Sequence, residues 1–407
     1  MNNLKGEPTE AWYGLPPEVR FCKRCVISNQ RPSSSVEFKS TIKDKKDVIN
    51  FDEEGICAAC RYHDEKETGI DWEKREEVLW KLCDKFRRND GSYDVIVPGS
   101  GGKDSAYTAH VLKYKYKMHP LTVTWAPHLY TSIGWENFQN WIHVGGLDNM
   151  LYTPNGRLHR LLTRKAFHNL LHPFQPFIIG QRIIGPAMAK RFGVQLVMYG
   201  ENQAEYGNKV DENNIPTMND KFFSVDDPMG LTLGGETIRE LMQEYGYNLS
   251  DFAPYVPHPP AELVKNGIEV HYLGYYLKWD PQECYYYATE HTGFNANTER
   301  TQGSYSKYSS IDDKIDPFQY FTTLIKFGIG RATYDAAQEI RNGKISREEG
   351  VALVRRYDQE FPTKYFHEFL EYIDTSESEF WTTVDKFRSP HLWERSADLS
   401  WRLKFTL

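Results

Sequence analysis

The chain has few cysteines, no long apolar run and no excess of positive charge. Only six of its 407 residues are cysteine, too few for a disulfide scaffold. No window approaches the run of about eighteen apolar residues that a membrane-spanning helix needs. The first residues carry Glu7, Glu10 and Glu18 and lack the apolar segment of a secretory signal. These absences predict a cytoplasmic protein that does not enter a membrane.

The charge balance argues against nucleic acid as a main partner. The net charge is −7 and the isoelectric point is about 6.0, whereas phosphate-backbone binding leaves a basic footprint. The length exceeds that of a usual single domain, so we expect one large domain with appendages, or two domains. We find no internal repeat and no low-complexity tract.

A glycine-containing loop separates an apolar strand, 93–98, from a helical pattern that begins at Ser105. Backbone N–H groups at such a junction surround an anion, and glycine lets the backbone approach a phosphate closely. The loop is not a Walker A motif, because Asp104 follows Lys103, and it lacks the third glycine of a dinucleotide fingerprint. An ordinary surface turn with a Lys-Asp salt bridge is the alternative. The loop residues are Ser100, Gly101, Gly102, Lys103, Asp104 and Ser105.

This Ser-Gly-Gly-x-Asp-Ser signature resembles the pyrophosphate loop of the N-type ATP pyrophosphatases, which cleave ATP between the α and β phosphates. The resemblance implies that the backbone, Ser100 and Ser105 hold the leaving pyrophosphate. Lys103 would add a positive charge, and Asp104 would bind the Mg²⁺ that neutralises the phosphates.

Four cysteines near the N-terminus form two Cys-x-x-Cys pairs. This spacing lets one tight turn present two sulfurs to one tetrahedral ion, and four sulfurs describe a closed structural zinc site. An iron–sulfur cluster, a redox pair and two disulfides are the alternatives. The segment between the pairs has the size of a zinc ribbon and contains a predicted short hairpin. The four ligands are Cys22, Cys25, Cys57 and Cys60.

Strand-like and helical segments alternate from 71 to 199, which predicts right-handed βαβ units and a parallel sheet. The fold class is therefore α/β, and the resemblance of the phosphate loop implies the N-type ATP pyrophosphatase kind (adenine nucleotide alpha hydrolase-like). The strand before the phosphate loop should lie centrally, with ligands at the carboxyl ends of the strands. The loop after the second strand, at Thr124 and Trp125, would receive the adenine of ATP.

A third loop, 199–208, follows the last predicted strand of the core. It holds two carboxylates, an amide and a tyrosine between glycines, which suits metal binding or substrate recognition. Glu201 is our candidate catalytic group besides Lys103 and Asp104. Asn202, Glu205 and Tyr206 are candidates for substrate binding; an ordinary acidic loop is the alternative.

The sequence divides into four predicted regions. Residues 1–70 carry the cysteine ribbon, 71–210 the ATP-binding core, 211–300 a polar insertion or lid followed by an aromatic-rich segment, and 301–407 a helical region. The aromatic residues would either stack on a sugar or pack against neighbouring helices. Lys326 and Arg331, beside glycines and aromatics, are candidates for binding anionic substrate groups.

Taken together, these motifs resemble the N-acetyl sugar amidotransferase family from about residue 21 to 358. The segments that carry the resemblance are Arg24-Cys25-Val26, Gly55 to Cys60, Ser100 to Ser105, Tyr199 to Gly207 and Leu324 to Asp335.

The resemblance implies conversion of the N-acetyl group of a bacterial surface sugar, free or nucleotide-linked, into an acetamidino group. ATP would adenylate the carbonyl oxygen and ammonia would displace AMP. A glutaminase nucleophile needs a tight elbow, whereas Cys284 has no neighbouring glycine and lies in a helical pattern. The ammonia source is thus expected to be a separate glutaminase, with or without a channel-forming subunit.

Two other functions compete with this interpretation. A tRNA-thiolating enzyme of the same superfamily would share the cysteine module and the phosphate loop. The acidic charge and the lack of a cysteine pair in the core oppose it, since Cys83 and Cys284 are far apart in sequence. A nucleotide-binding scaffold protein without catalysis would not be expected to keep an intact loop. The identity of the sugar, the face that docks the ammonia donor and the oligomeric state are not encoded in these motifs.

Overall fold

The structure is a computed structural model that describes residues 10–41, 43–208 and 215–407. Glu7 and residues 211–214 of the predicted insertion lie outside the described residues. Among the described helices, none is both long and apolar enough to cross a bilayer.

A five-stranded parallel sheet forms the centre of the molecule. Its order is β3-β2-β1-β4-β7, so the chain runs outward from β1 on one side and then returns to its other side. Each neighbouring pair is parallel, with Ile96 aligned with Leu121 on β2 and with Val197 on β4. The strands are β1 (Val95–Pro98), β2 (Pro120–Trp125), β3 (Asp148–Tyr152), β4 (Leu196–Tyr199) and β7 (Glu269–Tyr272). The central position of β1 confirms the expectation for the strand before the phosphate loop.

Helices cover both faces of the sheet, because the side chains of its strands alternate between two apolar clusters. Ile96 packs with the helix that precedes β4, whereas Val95 and Val97 pack with the helix that follows the phosphate loop. The helices up to β4 are α1 (Ala58–Thr68), α2 (Trp72–Phe86), α3 (Lys103–Tyr114), α4 (Ser132–His143), α5 (Gly156–Leu170) and α6 (Gln175–Phe192). Asp71 caps α2 as predicted, accepting a hydrogen bond from the Lys74 N–H at 3.0 Å.

The segment 211–300 differs from its prediction in one respect. It supplies the fifth strand, β7, to the sheet, so the parallel sheet extends beyond the predicted core of 71–210. The strand is only four residues long and two of them are polar, which hides it from a hydrophobic pattern. The other strands and α-helices described in this segment are the ribbon β5 (Thr232–Leu233) and β6 (Glu236–Thr237) and the helices α7 (Ile238–Tyr245), α8 (Leu249–Phe252), α9 (Pro260–Lys265), α10 (Leu273–Tyr276) and α11 (Pro281–Thr292).

The C-terminal region is helical as expected and ends in a small antiparallel ribbon. Ser346 and Glu349 form the predicted capping box. The helices are α12 (Asp316–Phe327), α13 (Arg331–Arg341), α14 (Arg347–Tyr357), α15 (Phe366–Tyr372) and α16 (Glu377–Lys386), and the ribbon is β8 (Trp393–Arg395) with β9 (Trp401–Leu403). The N-terminal segment is held by antiparallel bridges, such as Phe21 with Ser28 and Pro32 with Val48, rather than by a regular hairpin among its described residues.

Close packing of α6 on β2 generates a first prediction. A Cβ at Gly180 would lie 2.1 Å from Cε2 of the buried Trp125. We expect Gly180→Ala to destabilise the fold by roughly 3 kcal/mol or more, because the indole has no room to move. The matched control is Gly156→Ala in α5, where an added Cβ meets nothing within 4 Å. Urea unfolding of both variants tests this, and equal stabilities would contradict it.

Candidate functional site

The candidate site is a cavity of about 640 Å³ at the carboxyl ends of β1 and β4. These two strands lie at the point where the sheet order reverses, which is where open α/β sheets bind ligands. The phosphate loop forms one wall and the loop after β4 forms the next. Helices α12 and α13 of the C-terminal region and residues of the cysteine segment close the remaining sides.

The phosphate loop is shaped by its own hydrogen bonds. The Gly101 N–H donates to Ser105 Oγ at 3.2 Å, and that hydroxyl donates to the Gly102 carbonyl at 3.0 Å. Gly101 has φ +85°, and a Cβ there would lie 2.9 Å from the Phe138 backbone. Ser100, Gly101 and Gly102 line the cavity, whereas the Ser105 hydroxyl is used within the loop.

Lys103 and Asp104 begin α3 and face the cavity. Lys103 Nζ donates to Asp104 Oδ2 at 2.6 Å, while the other carboxylate oxygen, Oδ1, is buried without a hydrogen-bond partner among the described residues. A buried carboxylate oxygen without a partner is costly unless a ligand satisfies it. Burial opposes the charge of Lys103, but Asp104 and Glu201 outweigh it and raise its pKa.

Glu201 completes this charged group from the end of β4. Its Oε1 accepts a hydrogen bond from the Tyr206 hydroxyl, and both residues line the cavity. Burial, followed by the nearby Asp104 carboxylate, raises the pKa of Glu201 to about 7, although Lys103 and Tyr206 partly offset this. Two carboxylates kept this close are a suitable donor set for Mg²⁺, which prefers carboxylate oxygens and substrate phosphates.

Glu205 and Asn202, the other two candidates of the third loop, bond to protein groups. Glu205 forms an ion pair with Lys66 of α1, with Nζ 3.0 Å from both carboxylate oxygens, and the two residues are 4% and 1% exposed. Asn202 caps the short turn 203–206 by accepting from the Ala204 N–H at 3.1 Å. Contrary to expectation, neither side chain lines the cavity; only Glu201 and Tyr206 of this loop do so.

Three further predicted residues also lie away from this cavity. Thr124 Oγ1 accepts from Asn149 at 3.0 Å inside the sheet, and Trp125 is a core side chain stacked on Tyr152. Lys326 donates from Nζ to the Leu170 carbonyl at 3.0 Å, and burial lowers its pKa to about 7. The side chains of these three residues point into the protein interior, because the strand or helix that carries each of them packs against the core. A sequence motif does not reveal this packing.

The C-terminal helices supply residues that the motifs missed. Of the two predicted cations, Arg331 does line the cavity: its Nε lies 3.0 Å from Asp335 Oδ1 and it donates to the Tyr320 hydroxyl. Burial raises the pKa of Asp316 to about 7. Burial also raises the pKa of Asp312, although a hydrogen bond with the Ser100 side chain partly offsets this. The acidic run 312–316 was the available signal, but nothing in it indicates that it faces the phosphate loop.

The described part of the segment, 215–300, does not cover the cavity. Among its described residues only Phe294 lines it. Its tyrosines and Trp279 pack elsewhere, with Tyr276 and Trp279 almost completely buried. A role for this segment as a lid, or for its aromatic residues as a sugar platform, gains no support from this arrangement.

The four cysteines lie together and are buried. The Sγ atoms of Cys22 and Cys60 are 3.9 Å apart, those of Cys25 and Cys57 are 3.8 Å apart, and all four lie within 4.8 Å of one another. Four thiolates around one tetrahedral zinc, with Zn–S of about 2.3 Å, would lie about 3.8 Å apart. The donor set therefore fits a single tetrahedral ion.

The cysteine segment also reaches the site. Arg31 donates to the Tyr206 carbonyl, and its guanidinium lies over the rings of Tyr206 and Tyr334, 5.4 and 5.5 Å from their centres. The apolar cluster around the cysteines includes Ala336 and Val354 of the C-terminal helices. The cysteine segment thus braces both the third loop and the C-terminal wall.

The parallel sheet with the phosphate loop after its central strand is the α/β arrangement that the sequence predicted, that of the ATP pyrophosphatase fold. Residues 302–406 match the model described as the C-terminal domain of the LPS biosynthesis protein WbpG-like family. The C-terminal region of this chain is therefore similar to that C-terminal domain.

Comparison with known proteins adds more distant similarities. The chain is 35% identical over 85 residues to an uncharacterized protein of Methanocaldococcus jannaschii, a match that covers 20% of this chain and 29% of the archaeal protein. An NMN synthetase from Francisella tularensis is 12% identical, with 76% of this chain and 96% of that chain covered and a TM-score of 0.29.

Two further solved structures are similar at the same low level. An NH3-dependent NAD synthetase from Campylobacter jejuni, in complex with nitrate, is 18% identical over 32% of this chain and 56% of its own, with a TM-score of 0.26. The U34-tRNA thiolase NcsA from Methanococcus maripaludis, with its 4Fe–4S cluster, is 12% identical over 82% and 88% of the two chains, with a TM-score of 0.29. The fold assignment therefore rests on the sheet and the loop themselves.

The phosphate loop yields a second prediction. A Cβ at Gly102 would meet only Ser100 Oγ, at 3.7 Å, whereas one at Gly99 would lie 2.2 Å from Ser105 Cβ. We expect Gly102→Ala to keep the thermal midpoint but to weaken pyrophosphate binding, because the methyl group stands between the backbone and the anion. Gly99→Ala should cost roughly 1–3 kcal/mol or more. Calorimetric titration measures pyrophosphate binding, and thermal unfolding measures the stability of both variants. Unchanged pyrophosphate binding by Gly102→Ala would contradict this role of the loop.

The cysteine cluster yields a third prediction. Purified protein should carry one zinc ion per chain, and Cys57→Ser should lose it and unfold at a lower temperature, because a buried tetrahedral site loses a ligand. Cys83→Ser, at a buried cysteine outside the cluster, is the control and should retain the metal. Elemental analysis measures the outcome. Iron with acid-labile sulfide and visible absorption would instead identify an iron–sulfur cluster.

Proposed function

We propose that this protein is an ATP-dependent amidotransferase that converts the N-acetyl group of a bacterial surface sugar into an acetamidino group. The main observation behind this proposal is that the phosphate loop and the C-terminal helices line the same cavity. A phosphate loop with a positive charge and free carboxylate oxygens faces the WbpG-like C-terminal helices, with their buried acids and arginine. The phosphate loop suits ATP, and the C-terminal helices suit a polar substrate. We infer that the protein acts in lipopolysaccharide or O-antigen biosynthesis.

The proposed reaction has two steps, adenylation of the carbonyl oxygen and displacement of AMP by ammonia. The acetamido oxygen attacks the α-phosphorus of ATP, and the bond from that phosphorus to the oxygen bridging to the β-phosphate breaks, releasing pyrophosphate. Ammonia then adds to the activated carbon, the carbon–oxygen bond breaks, and AMP leaves with the former carbonyl oxygen. A proton lost from nitrogen leaves the amidine.

The residues of the cavity would divide this work. The loop backbone and Lys103 would stabilise charge on the departing pyrophosphate. Asp104 and Glu201 would hold Mg²⁺, which neutralises the phosphates when bound. Arg331, fixed by Asp335 and Tyr320, and the acids Asp312 and Asp316 would bind the substrate on the opposite wall.

The ammonia donor would be a separate protein. Cys284 lies inside helix α11 and is buried, and burial raises its pKa well above the ordinary value. A protonated thiol in a helix lacks the features of a glutaminase nucleophile. We therefore propose a separate glutaminase partner, with or without a subunit that channels ammonia.

The thiolation alternative requires a reactive thiol near the adenylated carbonyl. Cys284 lies nearer the phosphate loop than its position in the sequence indicated, close enough for the charges of Asp104 and Lys103 to act on it. Burial nevertheless keeps it protonated, and burial also raises the pKa of Cys83 to about 12. These properties favour the amidotransferase.

Product analysis gives the fourth prediction. With ATP, Mg²⁺ and ammonium chloride, an acetamido sugar or nucleotide sugar should yield equal amounts of AMP and pyrophosphate and a product with NH in place of O. Oxygen-18 in the acetyl group should appear in AMP, because the carbonyl oxygen leaves with it. Mass spectrometry of both products measures this.

Matched variants connect the activity to the cavity. Asp104→Asn and Glu201→Gln should each lower turnover by about 10²-fold or more, whereas Glu290→Gln, on the exposed face of α11, should not change it. Hydrolysis of glutamine by the purified protein would refute the separate glutaminase. AMP release stimulated by tRNA, with no turnover of any sugar, would refute the amidotransferase and favour thiolation.

A further inference from the structure

Two arginines that the mechanism above does not use line the cavity where it meets the cysteine segment. Arg31 belongs to that segment and is 9% exposed, and Arg341 is a partly buried residue at the end of α13. The two ends of this eleven-residue helix, Arg331 and Arg341, are about 15 Å apart along its axis. Arg341 therefore lies well away from Arg331 and the wall to which we assign the substrate.

Neither Arg31 nor Arg341 has an acidic partner among the described residues. Arg31 donates to the backbone carbonyl of Tyr206, and Arg341 donates from Nη2 to the backbone carbonyl of Glu205 at 3.1 Å. These acceptors are neutral, so neither hydrogen bond balances the positive charge of the guanidinium. A buried cation without a counterion is costly unless a ligand supplies one.

Both guanidiniums keep donors for such a ligand. The Tyr334 hydroxyl also interacts with Arg31, but a guanidinium has more N–H donors than these contacts use. No nitrogen of Arg31 or Arg341 is among the described polar atoms that are sealed from solvent without a partner, whereas Arg347 Nε is. The rings of Tyr206 and Tyr334, 5.4 and 5.5 Å from the Arg31 guanidinium, hold it at the cavity wall.

The two positive charges act on each other. Burial lowers the pKa of Arg31, and the charge of Arg341 lowers it further. Two like charges in one part of a cavity repel each other, and an anion bound to both removes that repulsion. The arrangement therefore favours a negatively charged ligand.

The cysteine cluster is the other negative group near Arg341. Burial lowers the pKa of Arg341, but the negative charges of the cluster outweigh burial and raise it. Arg347 also lies beside the cluster, because it donates to the Cys22 carbonyl at 3.4 Å, but it does not line the cavity. Arg347 is therefore a matched control for an arginine that serves only the cluster.

We propose that Arg31 and Arg341 together bind a phosphate group in this part of the cavity. Arginine presents a donor fork that matches phosphate oxygens, and two guanidiniums match a doubly charged anion, whereas one carboxylate would balance only one of them. Tyr206 connects this position to the phosphate loop, because its hydroxyl donates to Glu201 while its ring lies against Arg31. The bound phosphate would thus lie one tyrosine away from a proposed Mg²⁺ ligand.

The phosphate can come from two sources. One is the triphosphate of ATP, whose departing part the phosphate loop would hold from the opposite side. The other is a phosphate carried by the sugar substrate. The second source rests on the proposed function, whereas phosphate binding by the two arginines does not.

Calorimetric titration of the full chain with Mg²⁺ and without ammonia tests the proposal. The probes are pyrophosphate, α,β-methylene-ATP, N-acetylglucosamine 1-phosphate and unphosphorylated N-acetylglucosamine. We expect Arg341→Gln to weaken binding of a phosphate-bearing probe by about tenfold or more, because it loses charge-assisted hydrogen bonds. Arg341→Lys should recover only part of the loss, since an ammonium group lacks the fork. Arg347→Gln should bind every probe as the wild type does.

The pattern of losses identifies the source of the phosphate. Weaker binding of pyrophosphate or of the ATP analogue would assign the arginines to ATP, and weaker binding of the sugar phosphate alone would assign them to the substrate. Arg31→Gln should show the same pattern. Because Arg341 is only partly buried, its variants remain informative even if Arg31→Gln does not fold.

Four results would overturn the proposal. They are unchanged binding of all probes by Arg341→Gln, an equal loss in Arg347→Gln, loss of metal from the cysteine cluster in Arg341→Gln, and a wild type that binds none of the phosphate-bearing probes. Elemental analysis measures the metal. Binding is measured without turnover, so failure of the amidotransferase proposal would not produce these results.

Discussion

The structure depends on the way β1 and β4 run side by side while their connections leave in opposite directions. Parallel strands end at one edge of a sheet, and here the chain leaves β1 towards β2 on one side and leaves β4 towards β7 on the other. The crevice that results receives the phosphate loop from β1 and Glu201 from β4. The charged side chains Lys103, Asp104 and Glu201 meet at this gap. They are partly buried there, yet a ligand in the cavity can reach them.

Two parts of the chain outside the sheet add further walls to this crevice. The C-terminal helices bring Asp316 and Arg331 opposite the loop, and the cysteine segment inserts Arg31 beside Tyr206. Buried acids with raised pKa values are costly in the absence of a ligand, and such groups concentrate at functional sites. The C-terminal region therefore contributes charged side chains to the cavity as well as packing.

The sequence allowed the sheet, the position of β1, the phosphate loop and the cysteine cluster to be predicted, because each depends on local pattern or spacing. The strand β7 was missed because its four residues, two of them polar, are too few to show a hydrophobic pattern typical of a strand. Glu205 and Lys326 were read as substrate ligands from their motifs, yet Glu205 pairs with Lys66 and Lys326 reaches the Leu170 carbonyl. Long-range partners such as these decide whether a charge faces a ligand or the core, and no local pattern contains them.

The position of Arg31 has a consequence for how the protein can be divided. One guanidinium lies over Tyr206 of the core and Tyr334 of the C-terminal helices while belonging to the cysteine segment. Excision of the family domain at residue 302 would expose the alanines and valine that now pack against the cysteines. The three regions therefore share one packed contact, and grafting any one of them onto another scaffold would have to rebuild it.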